Sequence, residues 1–318
     1  MDFTYFYKRK IFSPEKLSEQ GEYDLFISCY CNSDRIIKVA ESIKAKQKHL
    51  LILPDYHGKE IKIPHTYAHE IGIDGEESEV LVAYYKKAGI DNTLRICIDI
   101  TGFFIPHLLF LIKYFQIEGI TNFDAIYSEP NAYIEKEQTM FSNYFHKVRQ
   151  IQGYEGSHIP DTSNDILIIG SGYDDSRITD VANDKAKARK IQLFGFPSLQ
   201  PDMYQENVLK AYKAEAAVGG ESFIDPSKNI YAPANDPFVS AQLIKEFIEK
   251  ENTKKPITNL YFSPVSTKAH ALGIALCFIW LHEIPTSVIF PFCEQYFTDT
   301  TIGVGKVMIY TVELPKII

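Results

Sequence analysis

The sequence predicts an α/β protein whose sheet is mostly parallel, with helices on both faces. Three observations lead there. One order of elements recurs four times: a β-branched or aromatic run, a short loop of Ser, Thr, Gly or Asp, an amphipathic stretch, then another apolar run. The runs "ILII" (166–169) and "SVIF" (287–290) lack polar alternation, as strands covered on both faces do. Small hydroxyl and carboxylate residues follow the apolar runs, at the places where parallel strands hand over to helices.

The first unit predicts a strand from Tyr23 to Tyr30, a helix near Ile36 to Lys46 and a second strand in "HLLILPDY". Ser33 or Asp34 is placed to cap that helix, and Ile36, Val39, Ala40 and Ile43 recur at helical spacing. In the second unit the strand "LRICIDITG" leads into the helix of "PHLLFLIKYFQIEG" and the strand "FDAIYSEP". Pro106 suits the first turn of its helix and Gly119 the end. The third unit has strands near Ile166 to Ile169 and Ile191 to Phe194; the fourth has them near Leu260 to Phe262 and Ser287 to Phe290. Four such units read as Rossmann-like.

The stretches between are harder to read. Residues 56–93 carry acidic and Gly-rich turns plus a helix near Glu77 to Lys87, and residues 199–256 look helical with a loop around "DPSKNIYAPANDPF". The segment "GVGKVMIYTVELP" reads as a final strand, an antiparallel edge being one arrangement. The polar, turn-rich "GYEGSHIPDTSND" suggests two similar halves, 1–160 and 161–318, or else one composite domain.

Composition narrows the partners. With 318 residues a large core can be buried, and a formal net charge of -8 argues against a surface built to neutralise duplex nucleic acid. Five cysteines, an odd number and mostly within apolar runs, point to a reducing, cytoplasmic setting. The longest apolar stretch, "GIALCFIWL", falls short of the roughly 20 residues a spanning helix needs, so no membrane is expected.

Chemistry is expected at the strand ends, where helix amino termini present free N–H groups. The candidate ligand contacts are Ser28, Thr101, Gly102, Gly170, Ser171, Gly172, Ser263, Ser266, Thr267 and Lys268, and they are expected to gather around one crevice. Small residues let backbone approach a phosphate or ribose, so a nucleotide-like ligand is the reading; the same residues also serve as ordinary turns and caps. "GSGYDD" has two of the three glycines of a dinucleotide fingerprint, with Asp175 at the third position. Candidate catalytic groups are Glu129, after a buried strand and before Pro130; Asp99, at the end of its strand; and Asp174, suited to ribose hydroxyls or a nucleophilic water. Polar loops hold Asp202, Tyr204, Gln205, Glu206, Asn235 and Asp236, as ligand contacts or helix starts.

"HTYAHE" sets His65 and His69 four residues apart, facing one side if helical. The zinc-protease order needs Glu where Thr66 stands, so no metal centre is expected, and no cofactor is named by the sequence.

"SPVSTKAHALGIAL" together with "DITGF" resembles the strand-end loops of CRISPR-associated Rossmann-fold sensor domains, with Val265 and Ser266 where that family has paired glycines. The resemblance implies that Thr267 and Lys268 help hold a cyclic oligonucleotide. "YDLFISCYCNSDRIIKVAESI" is similar to the opening strand, loop and helix of Toll/interleukin-receptor-type domains. Three functions follow as expectations: a sensor or defence component that binds a nucleotide or nucleotide-derived signal; an enzyme hydrolysing a glycosidic or phosphoester bond of a nucleoside or NAD-like substrate; or a structural subunit. A homo-oligomer or a protein partner is left open.

Overall fold

Apolar strands that alternate with amphipathic helices assemble here into two mostly parallel sheets flanked by helices, as a computed structural model of the chain describes. It describes residues 1–317 apart from 32, 54–59, 72–75, 134–145, 202, 221–224, 226–227, 282 and 294–300.

The first sheet takes β1 (Lys8–Ile11), β2 (Tyr23–Cys29), β3 (Ala45–Ile52), β4 (Ala68–Glu70), β5 (Ile96–Asp99) and β6 (Asn122–Ser128). The chain then passes through the short β7 (Ala132–Tyr133) into the second sheet, made of β8 (His146–Gln150), β9 (Ile166–Gly170), β10 (Arg189–Gly195), β11 (Asn229–Ala232), β12 (Leu260–Ser263) and β13 (Thr286–Cys293). It returns by β14 (Thr301–Ile302), paired with β7, to β15 (Val307–Glu313), which lies antiparallel between β6 and β1.

Across the first sheet the order is β1-β15-β6-β5-β2-β3-β4, and across the second β11-β10-β9-β12-β13-β8. In each, five consecutive parallel strands lie in the order third, second, first, fourth, fifth. The first and fourth strands, β2 with β5 and β9 with β12, are therefore neighbours, and the chain reverses direction of travel across the sheet between them.

The helices are α1 (Asp34–Ser42), α2 (Glu77–Ala88), α3 (Ile105–Ile117), α4 (Asp175–Asp184), α5 (Met203–Lys213), α6 (Glu215–Val218), α7 (Pro237–Lys254) and α8 (Lys268–Trp280). Their starts follow from local chemistry. Ser33 caps α1, Asp174 caps α4, Asp236 accepts from the N–H groups of Phe238 and Val239 at the head of α7, and Thr267 caps α8. In α8 every residue from Ala269 to Cys277 is buried, so it is apolar all round rather than striped. Among the described residues no helix is long and apolar enough to cross a membrane.

Two compact units result, Met1–Tyr5 with Ser142–Glu294, and Phe6–Phe141 with Gln295–Ile318. The division differs from a cut at residue 160 because β8 pairs with β13 and β15 returns to the first sheet. Three local expectations also need correction. The first helix stops at Ser42, and Ala45 to Lys48 extend β3 because they pair with β2. The loop around residues 225–238 contains β11, drawn into a strand by β10. The final strand is antiparallel but interior, since β1 closes its outer side.

Candidate functional site

The strand-end residues singled out from the sequence fall into two sets, one on each sheet. Of the residues expected around one crevice, Thr101 belongs to the first sheet, and Gly172 and Thr267 belong to the second. The reason is topological, because four successive strand-helix units can be divided between two sheets without any change in their local pattern.

On the first sheet the set surrounds the junction of β2 and β5. Ser28 Oγ donates to Asp99 Oδ2 at 3.1 Å, and the Thr101 N–H donates to Asp99 Oδ1 at 3.0 Å. Thr101 Oγ1 in turn accepts from the Ser128 N–H at 3.0 Å. Asp99 is fully buried, and desolvation of its carboxylate pushes its pKa up to about 6 in spite of the hydrogen bonds from Thr101 and Ser28 and the field of Arg35.

Arg35, in the first turn of α1, closes this network over the top. Its Nη1 donates to the Ser128 carbonyl at 2.8 Å and its Nη2 to Thr301 Oγ1 at 3.2 Å. Ser128 Oγ is buried and has no hydrogen-bond partner among the described residues. Glu129 is also buried, with its backbone clasped by the Lys306 carbonyl at 2.8 Å and the Gly305 N–H at 2.7 Å. Gly102 leaves no room for a Cβ against the Cys29 carbonyl oxygen, so here glycine serves close packing of two strand-end loops.

On the second sheet the loops after β9 and β12 interlock. A Cβ on Gly172 would collide with the Val265 carbonyl oxygen, and one on Gly170 would lie 2.7 Å from Ser266 Oγ. Ser171 Oγ donates to Gln192 Oε1 at 2.8 Å, and Asn207 Nδ2 donates to the Ser171 carbonyl at 2.8 Å. Two buried polar atoms flank this loop without hydrogen-bond partners among the described residues: Ser263 Oγ, at the end of β12 beside Ile169, and Asn207 Oδ1. An unsatisfied buried polar atom costs about 1–3 kcal/mol, which a ligand's own donor or acceptor would relieve.

Thr267 Oγ1 is committed twice, donating to the Ala234 carbonyl at 2.7 Å and accepting from the His270 N–H at 3.1 Å. Lys268 opens α8, half-buried beside it. Asp174 acts as a cap, its Oδ1 accepting from Ser176 Oγ at 2.6 Å and from the Arg177 N–H at 3.4 Å, while Asp175 is 3.8 Å from Lys210 Nζ.

No protein-family model, no curated protein and no solved structure matches this chain. The geometry must therefore speak for itself.

Sequence reasoning missed several residues of these networks, among them Arg35, Ser128, Gln192, Asn207, His270 and Thr301. For His270 a signal existed, since "STKAH" sets Ser266 and His270 four apart across a helix start. Of the polar-loop residues, Tyr204, Gln205 and Glu206 lie in α5 and Asp236 caps α7, while Asp202 lies outside the described residues. His65 begins a short 3-10 helix and His69 lies on β4, so the two do not share one α-helical face, and no described group of three or more His, Cys, Asp or Glu side chains could hold a metal ion.

Proposed function

We propose that the protein binds a nucleotide or nucleotide-derived signal at the junction of β9 and β12, in a Rossmann-like arrangement, and works as a sensor in signalling or defence. One observation carries this reading. In an open parallel sheet, ligands settle beyond the carboxyl ends of the strands near the place where the first and fourth strands are neighbours, because helix amino termini point their free N–H groups there. At that place in the second sheet lie the interlocked 170–172 and 265–266 loops, the head of α8 with Lys268, and the unpaired Ser263 Oγ and Asn207 Oδ1.

The test is mass spectrometry of small molecules released when the purified protein is heat-denatured, followed by melting scans with the compound found. A phosphorylated compound that raises the melting temperature of the wild type, and raises that of Lys268→Ala far less, supports the reading. Empty protein that no nucleotide of a broad panel stabilises sinks it.

A second reading, an enzyme acting on a nucleoside or NAD-like substrate, is favoured by one observation at the other junction. Asp99 there has a pKa near 6, poised for proton transfer close to neutrality. Turnover of such a substrate that Asp99→Asn abolishes, with binding retained, would favour it.

A further inference from the structure

Ser266 and His270 are four positions apart, and the start of α8 folds the first back onto the second. Ser266 Oγ lies 3.0 Å from His270 Nδ1, and His270 Nε2 lies 3.2 Å from the Pro233 carbonyl oxygen. A carbonyl accepts and cannot donate, so Nε2 carries the ring proton. Nδ1 is then a bare lone pair, and the Ser266 hydroxyl is its donor. We propose that Ser266 is a nucleophile and His270 its general base, and that the second sheet catalyses hydrolysis of a carboxylic ester.

The surroundings suit those roles. His270 is fully buried and held at both ring nitrogens, whereas Ser266 is half-buried at the rim. A base fixed in one tautomer and orientation by a third group is the arrangement by which a serine hydroxyl is activated. Burial pushes the imidazole pKa down to about 4, which leaves its lone pair free at neutral pH while lowering its basicity, so the activation rests on the fixed Ser266–His270 hydrogen bond. Ala269, in the first turn of α8, has an N–H without an acceptor inside the helix, a donor of the kind that stabilises an oxyanion.

The chemistry balances with water as the only co-reactant. A lone pair of Ser266 Oγ attacks the ester carbonyl carbon, and its proton passes to His270 Nδ1. The C–O bond to the alcohol then breaks, and the alcohol leaves with that proton. Water attacks the resulting acyl-serine, gives a proton to Nδ1, and Ser266 Oγ leaves and takes it back. An acyl group is favoured over a phosphoryl group because Asp174 and Asp175 open the neighbouring α4. They oppose a multiply charged transition state more than a singly charged oxyanion.

The inference rests on the preceding reading only in placing a small-molecule site at this rim; it does not need the ligand to be a nucleotide. The wild-type protein is treated with a fluorophosphonate probe and mapped by peptide mass spectrometry, and p-nitrophenyl acetate hydrolysis is followed in parallel. A single adduct on Ser266, and hydrolysis that Ser266→Ala lowers roughly a hundredfold or more, is the expected result. Absence of an adduct on Ser266, together with hydrolysis no faster than in buffer, overturns the proposal. Mapping of the wild type decides the matter even if a variant at Ser266 or His270 fails to fold. Nucleotide retention without labelling removes this inference and spares the binding reading; labelling of a protein that retains no nucleotide does the reverse.

Discussion

The rings of His49 and His69 lie with their centroids 4.1 Å apart, tilted by 43°, where β3 and β4 run side by side. Tyr84 of α2 completes the cluster, its hydroxyl 2.8 Å from His49 Nδ1. Two imidazoles this close cannot both take up a proton cheaply.

That contact makes the first expected outcome a loss of stability in acid. Burial, and next the neighbouring His69, push the pKa of His49 down from 6.5 to about 4, and burial lowers His69 as well. Between these values the unfolded chain binds a proton that the folded chain refuses, so stability is complete above pH 6.5 and drains as pH falls toward 4. For His49 alone the loss is on the order of 2–3 kcal/mol. Urea midpoints measured at pH 7 and pH 4.5 should show a smaller acid loss in the double variant His49→Asn, His69→Asn; an unchanged loss would refute the assignment.

Asp99 titrates in the opposite sense. Its folded pKa of about 6 exceeds the ordinary 3.8, so it binds a proton more tightly when folded, and its contribution falls as pH rises from 3.8 to 6. Asn in its place keeps an acceptor for the Thr101 N–H and has no charge to bury. Relative to wild type, Asp99→Asn should gain about 2–3 kcal/mol on going from pH 4 to pH 7. A stability difference that does not move with pH would contradict the buried, network-bound carboxyl.

Gly172→Ala should destabilise by about 1–3 kcal/mol, because the new methyl meets backbone at the Val265 carbonyl rather than a side chain that can turn away. Gly89→Ala offers a control. Its Cβ meets nothing within 4 Å, and its φ of +63° should cost only about 1 kcal/mol. Chemical denaturation compares the two, and equal costs would deny the interlock of the loops after β9 and β12.

Arg35→Gln should loosen the segment around β14. The guanidinium is what joins Ser128 and Thr301, so its loss leaves the Ser128 carbonyl short of a donor, at about 1–3 kcal/mol. Faster amide exchange at residues 301–302, with the β2–β5 pairing unchanged, is the expected pattern. Uniform exchange across the first sheet would assign Arg35 to global stability instead.

Much of the architecture was readable from residue patterns. Strands such as 166–169 and 260–262 declare themselves by unbroken apolar runs, and Ser33, Pro106 and Thr267 mark helix starts. Which strands share a sheet was not readable, because that depends on pairings between distant residues such as Leu260 with Ile166 and Ile309 with Ile126. The candidate loops do lie at strand ends, where small polar residues collect. Their partners were not readable: Asn207 reaches Ser171 from a helix 36 positions on, and nothing local to either residue signals it.

The place of β15 carries a consequence for biosynthesis. The strand that fills the gap between β6 and β1 follows the whole second sheet in sequence, so while the ribosome is still making β8 to β13, the nascent first sheet has β6 as a bare margin. Domains emerging early usually settle as units. Here the earlier-made sheet must wait for the later one before its last seam can be sewn, and its exposed margin is where a chaperone would have work to do.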